Sequence, residues 1–414
     1  ALTQLSDMYL QKDDIQSFIN IQAKFHELIL YDDIKRGKVE GLLMKHAGLQ
    51  WVQTFQKRLD VAVELREQNI LIVGGCGNWR DDAGCTISAF RRNSGINLWR
   101  EDYNFSAIKS LITSNDQFCF VSWTCSDEKK GRDNHHYSFY GLNGSSGKTV
   151  FESTLWENKE AYHTDKIYYF DSAYIVDAHS DQIRYITALN SETGDILWKK
   201  EFGKDNFLMA KPVDIIQLDS LIIIPREENL IAVNLYSGSL VWTYDYLDDF
   251  EDIEYLNQDG LYGKTLSLVS GDDEFVVLDL QNPGVIFQED IEFDQNVHIV
   301  YQDHKYLLGY NDNLLILFKK SGNKIVKVWK NTNQNIDIPV VLEEQIYRKT
   351  LSEDNSIVEI ISLLNGKRTA FVQQIWGGAE LCSDCPQFLD TDVVFPGDGA
   401  ISFFNGKKLY HINY

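Results

Sequence analysis

Ala188-Leu189-Asn190-Ser191-Glu192-Thr193-Gly194-Asp195-Ile196-Leu197-Trp198 reads as an apolar strand, a tight turn and a second strand ending in Trp. A second copy follows at Ala232-Val233-Asn234-Leu235-Tyr236-Ser237-Gly238-Ser239-Leu240-Val241-Trp242, and an earlier one stands at Ala89-Phe90-Arg91-Arg92-Asn93-Ser94-Gly95-Ile96-Asn97-Leu98-Trp99. In all three, Trp lies four residues after Gly and Ala lies six before it. A hairpin repeated in fixed register is the mark of a repeat architecture.

Working outward, each hairpin is the second half of a four-strand unit. Val61–Leu65, Ile70–Val73, Thr86–Phe90 and Ile96–Trp99 make one such unit, separated by turn formers. Aligned on the turn glycine, the chain shows Gly95, Gly147, Gly194, Gly238, Gly284, Gly322, Gly366 and Gly406, at spacings of 38–52 residues. The docking aromatic reads as Phe151, Phe287 and Phe371 in the weaker units and as Tyr410 in the last. One four-stranded unit cannot bury both faces, so the units must stack radially and close. The expectation is an all-β, eight-bladed β-propeller, with seven blades as the alternative. The last strand, Lys408–Ile412, either completes its blade alone or receives a strand from the N-terminal side.

Residues 1–57 differ. Leu5, Met8, Tyr9, Ile15, Phe18, Ile19, Phe25, Leu28 and Ile29 approach helical spacing. The expected division is a helical extension over 1–57 and a propeller over 58–414. Gly48-Leu49-Gln50-Trp51 weakly echoes the Gly-to-Trp step, as a degenerate strand would.

The hairpin pattern resembles the tryptophan-docking motif of the pyrroloquinoline-quinone-like propeller family. Residues 188–198 and 232–242 carry the resemblance best and 89–99 well; in outline it covers about 58–414. That family includes quinoprotein alcohol dehydrogenases and a bacterial outer-membrane assembly lipoprotein that is a scaffold. The shared motif builds blades and binds no cofactor, so the resemblance implies fold more than activity. The dehydrogenases carry an adjacent Cys-Cys pair beside the quinone, and this sequence has none; its first cysteine, Cys76, is also no N-terminal lipidation site. The resemblance therefore points to the non-enzymatic branch, with no cofactor.

The formal charge of −22 argues against nucleic acid, which needs clustered Lys and Arg, and favours a basic protein partner. No apolar run is long enough for a membrane span, so no membrane insertion is expected. With no visible signal segment and six cysteines in 414 residues, the expected location is the cytoplasm. A periplasmic location is the alternative if an export signal has been removed.

Candidate sites fall in the loops. Cys76 and Cys85 flank a loop of the first unit, and Cys382 and Cys385 enter the last; a closed ring brings these onto one face. Free thiols, disulfides and a structural Zn²⁺ held by Cys76, Cys85, Cys382 and Cys385 are all open. His135, His136 and His179 share that face as solvated loop residues or ligands. The stretch Tyr246, Asp248, Asp249, Phe250, Glu251 and Asp252 mixes carboxylates with aromatic anchors, as a solvated loop or as a contact surface for a basic partner. No phosphate loop, nucleophile elbow or metalloprotease helix is present. The reading is a non-catalytic, acidic, protein-binding propeller, such as an immunity protein neutralising a basic partner. A quinoprotein-like oxidoreductase and a periplasmic assembly scaffold are the alternatives.

Overall fold

The computed structural model describes residues 49–413, leaving out chiefly 78–83, 127–133, 159–162, 203–213, 246–252, 260–264, 291–297, 333–338 and 374–393. Every described element is a strand. Among the described residues the strands form four-stranded antiparallel blades of a β-propeller, the strand pairing grouping them into eight sheets.

β1 (Leu49–Thr54) comes first in the chain but belongs to the last sheet. The first sheet is β2 (Val61–Leu65), β3 (Ile70–Cys76), β4 (Cys85–Arg91) and β5 (Asn97–Tyr103). The second is β6 (Ala107–Ser114), β7 (Gln117–Ser126), β8 (Asn134–Asn143) and β9 (Thr149–Asn158). The third is β10 (His163–Phe170), β11 (Ala173–Ser180), β12 (Ile183–Asn190) and β13 (Ile196–Phe202). The fourth is β14 (Ile216–Leu218), β15 (Leu221–Pro225), β16 (Asn229–Asn234) and β17 (Leu240–Asp245). The fifth is β18 (Ile253–Asp259), β19 (Thr265–Ser270), β20 (Glu274–Asp279) and β21 (Gly284–Asp290). The sixth is β22 (His298–Gln302), β23 (Tyr306–Asn311), β24 (Leu314–Lys320) and β25 (Ile325–Thr332). The seventh is β26 (Val340–Leu342), β27 (Gln345–Leu351), β28 (Ser356–Ser362) and β29 (Arg368–Gln373). The last combines β30 (Val394–Gly397), β31 (Ala400–Asn405) and β32 (Lys408–Asn413) with β1, in the order β1-β32-β31-β30.

Of the two closures open to the sequence, the structure therefore shows the strand received from the N-terminal side. Leu49–Thr54, placed by the domain division in a helical extension but also read around Trp51 as a degenerate strand, is strand, with Trp51 opposite His411 and Val52 opposite Tyr410. The rest of that expected extension, residues 1–48, lies outside the described residues.

The hairpin motif has a local cause. Asn190 Oδ1 accepts from the backbone N–H of Glu192 (2.9 Å) and Thr193 (3.0 Å), and Asn234 does the same for Tyr236 and Ser237. This Asx turn fixes the first corner. Gly194 then takes φ 72° and Gly238 φ 65°, which L side chains rarely adopt. Beyond the turn, the register slips by one residue, so Ala188 faces Trp198 while Leu189 faces Ile196. The extra residue, Leu197, is a β-bulge, which twists the strand and re-aims the tryptophan that follows.

That aim is at the neighbouring sheet. Trp198 packs on Gly238 and its Nε1 donates to Leu235 O at 2.8 Å. Trp99 does so to Gly147 and Gly144 O, and Trp329 to Gly366 and Leu363 O. Phe151 covers Gly194 without an N–H to give; Ser153 Oγ donates to Gly194 O instead, at 2.6 Å. Two aromatic assignments change. Phe371 is one residue past the docking register, where Ala370 faces Ile360. Tyr410 lies on β32, a third strand rather than an outer one. The last sheet's docking residue is Trp51, which packs on Gly95 and donates to Arg92 O at 2.7 Å.

The core sits between sheets. Trp198, Ile175 and Ala188 of the third pack with Ile222, Ile224 and Val233 of the fourth. Leu409 of the last packs with Leu71, Val73 and Phe90 of the first. A fully buried side chain of this size contributes about 1.5–3 kcal/mol, and each layer supplies several.

Candidate functional site

β1 ends at Thr54, and the chain crosses through Phe55 and Lys57 to β2. Among the described residues, part of the first sheet's face is left uncovered there, and a cleft of about 360 Å³ opens beside the closing seam. One wall is Gln53, Thr54, Phe55, Gln56, Lys57 and Leu59; the other is Gly75, Thr86, Ser88, Phe90, Asn97 and Arg100. Leu59 and Phe90 are buried and make an apolar floor.

The charged residues of this lining are Lys57 and Arg100. Lys57 Nζ donates to Gly84 O at 2.9 Å. Arg100 Nη2 reaches Asp102 Oδ1 at 3.4 Å, and Thr86 Oγ1 donates to the same oxygen at 2.5 Å. Asp102 is held below the usual carboxylate range, first by the Thr86 hydrogen bond and then, against a small cost of burial, by Arg100 and Lys57.

Cys76 and Cys85 close the hairpin beside this cleft. They are register partners on β3 and β4 and form a disulfide, and Gly77 N donates to Gly84 O just beyond it. In this bonded form neither sulfur is a thiolate, so the pair does not supply zinc ligands as the four-cysteine reading required. Cys382 and Cys385 lie outside the described residues, as does the whole acidic stretch Tyr246 to Asp252. Cys119 is a buried thiol whose pKa burial pushes up to about 12. Among the described residues no group of three or more His, Cys, Asp and Glu is placed to hold a metal.

The histidines are on strands rather than loops. His135 pairs with Cys125 across β7 and β8, and His136 with Thr124. His179 pairs with His163 on one side and Arg184 on the other. Strand registry thus juxtaposes His163 and His179 in the third sheet, while His135 and His136 belong to the second.

Two buried polar groups escaped sequence reading. Arg184 donates from Nε to Asp177 Oδ1 (2.9 Å), from Nη2 to Asp177 Oδ2 (2.5 Å), and from Nη1 to Pro225 O of the fourth sheet (2.7 Å). At the closing seam, Arg92 pairs with Glu64 and donates from Nε to Ser402 Oγ at 3.4 Å. Ser402 Oγ in turn lies 2.8 Å from His411 Nδ1, and His411 stacks on Trp51. Each arginine stood in the sequence without a local partner, because its carboxylate lies on another strand, Asp177 on β11 and Glu64 on β2.

Docking tryptophans on neighbouring glycines, with a bulge before each, now stand beside a sequence match. Residues 83–258 match the family described as "Outer membrane protein assembly factor BamB". The protein is a β-propeller, and its residues 83–258 carry repeats similar to that family. Among curated proteins, no sequence matches this propeller. Among solved structures it is similar to BamB from Moraxella catarrhalis, with a TM-score of 0.54 and 13% identity over 88% of this chain and 100% of that one. It is similar to the quinohemoprotein alcohol dehydrogenase ADHIIG from Pseudomonas putida HK5, with a TM-score of 0.55 and 10% identity over 88% of this chain and 75% of that one. The computationally designed Ika8 protein gives a TM-score of 0.55 at 10% identity, over 87% of this chain and 98% of that one. Identities this low establish the fold alone. The resemblance ties a bound quinone to an adjacent Cys-Cys pair, whereas the disulfide of this propeller spans nine residues across β3 and β4. The residues present do not match that setting.

Proposed function

We propose that this propeller is a non-catalytic scaffold that binds another protein. The observation that carries it is the run of exposed apolar side chains on adjacent outer hairpins: Ile196 and Leu197 on β13, Leu240 and Val241 on β17, and Tyr236 in the turn before β17. Leu240 is 58% exposed and Val241 51%. Trp198 seated on Gly238 joins the two hairpins, and exposed apolar side chains gathered on adjoining hairpins are of the kind that marks an interaction site.

The Cys76–Cys85 disulfide supports an oxidising compartment, because such bonds persist outside the cytosol. It favours the periplasmic assembly-scaffold version over a cytoplasmic neutraliser, and the family description of an assembly factor agrees with it. The net charge of −22 still supports a basic surface on the partner.

The test is affinity capture from native cell-envelope and cytosolic fractions at low salt, with the wild type and the double variant Leu240→Glu/Val241→Glu. The reading expects one stoichiometric envelope protein that the variant loses. Recovery of no partner, or of one that the variant keeps, would overturn it.

A further inference from the structure

We propose that the cleft beside the closing strand binds an acidic polypeptide segment, with one of its carboxylates seated between Lys57 and Arg100. This rests on the protein-binding reading and names the chemistry of a second contact.

Charge carries the first step. The chain is net −22, yet the charged side chains of this lining, Lys57 and Arg100, are both positive. A carboxylate already sits against them: Asp102 accepts from Thr86 and lies by Arg100, and Lys57 also lowers its pKa. With Asp102 beside them, Lys57 and Arg100 leave one net positive charge at the cleft, which a carboxylate entering from solvent meets. Two cations are too few for a nucleic-acid backbone, which the overall charge repels.

Shape and edges carry the second step. The remaining walls are amides and hydroxyls, including Gln56, Asn97 and Ser88, which match the donors and acceptors of a peptide main chain. Phe55 and Phe90 offer an apolar contact for an alternate side chain. Among the described residues β1 and β5 are the outermost strands of their sheets, and Gln53 and Thr54 of one and Asn97 and Arg100 of the other line the cleft, as an extended segment lying along a sheet edge requires. About 360 Å³ is at the small end for a binding pocket and suits a few residues, not a folded domain.

Position carries the third. Gln53 and Thr54 belong to the closing strand, while Thr86 and Arg100 belong to the first sheet. A segment bound here touches both sides of the seam, so its binding free energy adds to ring closure.

The test uses the whole chain and a fluorescein-labelled hexapeptide of alternating Glu and Leu, with its Gln-for-Glu counterpart, read by fluorescence anisotropy. The acidic peptide binds at least about tenfold more tightly than the Gln peptide, and the difference shrinks with salt. Arg100→Gln, at a half-exposed side chain, removes about tenfold of that affinity, and Asp102→Asn increases it. Equal binding of the two peptides, no binding, or an unaffected Arg100→Gln would overturn the proposal. Competition by succinate as effective as by unlabelled peptide would overturn its polypeptide part in favour of a small dicarboxylate. If the peptide fails while a Leu240/Val241-dependent partner is still captured, the cleft inference falls and the scaffold reading stands.

Discussion

Trp51 lies flat over Gly95, so close that a Cβ added to the glycine would fall 2.7 Å from the indole. The two residues join the last sheet to the first. The closing strand β1 thereby carries the same device that joins other neighbours, and its geometry makes closure sensitive to single atoms.

Gly95→Ala is expected to destabilise the fold by about 2–3 kcal/mol, because φ 65° is strained for alanine and the methyl meets the ring. Trp51→Phe keeps the ring but loses the 2.7 Å bond to Arg92 O, and costs about 1 kcal/mol. Urea denaturation checks both. A Gly95→Ala midpoint equal to wild type would mean that closure does not depend on this contact.

Between the second and third sheets the device is built differently. Gly141 occupies the place of the motif's alanine, and Phe151 the place of its tryptophan. A methyl at 141 would run into the Phe151 ring. Gly141→Ala is expected to cost about 1–3 kcal/mol by overpacking, and Phe151→Leu to relieve part of that cost when the two are combined. A double-mutant cycle in thermal or urea unfolding checks the coupling; strict additivity of the two changes would contradict it.

These two seams show what was legible. Gly95, Gly147, Gly194, Gly238 and Gly366 all carry φ between 65° and 72°, because a turn that demands positive φ leaves a glycine in the sequence. The hairpin, its Asx corner and its tryptophan could therefore be read locally. Trp51 was legible only as the faint Gly48-to-Trp51 echo, because its strand pairs with β32 at the other end of the chain. Trp329 was hidden because its hairpin is two residues longer, twelve positions separating Leu317 from Trp329 against ten from Ala188 to Trp198, and because Gly322 stands seven residues before it instead of four. The cleft was also out of reach: its two walls come from different sheets, and its existence depends on β1 stopping at Thr54.

Asp177 and Arg184 supply a third prediction. Their side chains are 1% and 3% exposed, and the guanidinium also holds Pro225 O of the next sheet. Asp177→Ala leaves a buried cation without its counter-charge, with an expected loss of about 3–5 kcal/mol. Asp177→Leu combined with Arg184→Met removes both charges and is expected to recover most of that loss. Denaturant midpoints of the three proteins decide the matter: a double variant no better than Asp177→Ala would show that the ion pair itself, and not the orphaned charge, sets the cost.

His411 gives the pH dependence. It is buried at the closing seam, stacked on Trp51, bonded to Ser402 Oγ, and faced by Arg92, whose own partner is Glu64. Burial first, and the Arg92 charge second, hold its pKa down to about 4 from an ordinary 6.5. The unfolded chain therefore takes up this proton before the folded one does. The contribution to stability is complete above about pH 6.5, declines between 6.5 and about 4, and falls no further below that. Integrated over that window, the full shift corresponds to about 3–4 kcal/mol, and solvent screening at the incompletely enclosed imidazole brings the loss to about 2–3 kcal/mol. Carboxylates titrate in the same range, so the measurement is the difference between wild type and His411→Gln, whose side chain carries no proton to gain. Urea midpoints of the two proteins are expected to converge as pH drops from 7 to 4. Parallel curves across that range would show that His411 is not held neutral in the closed ring.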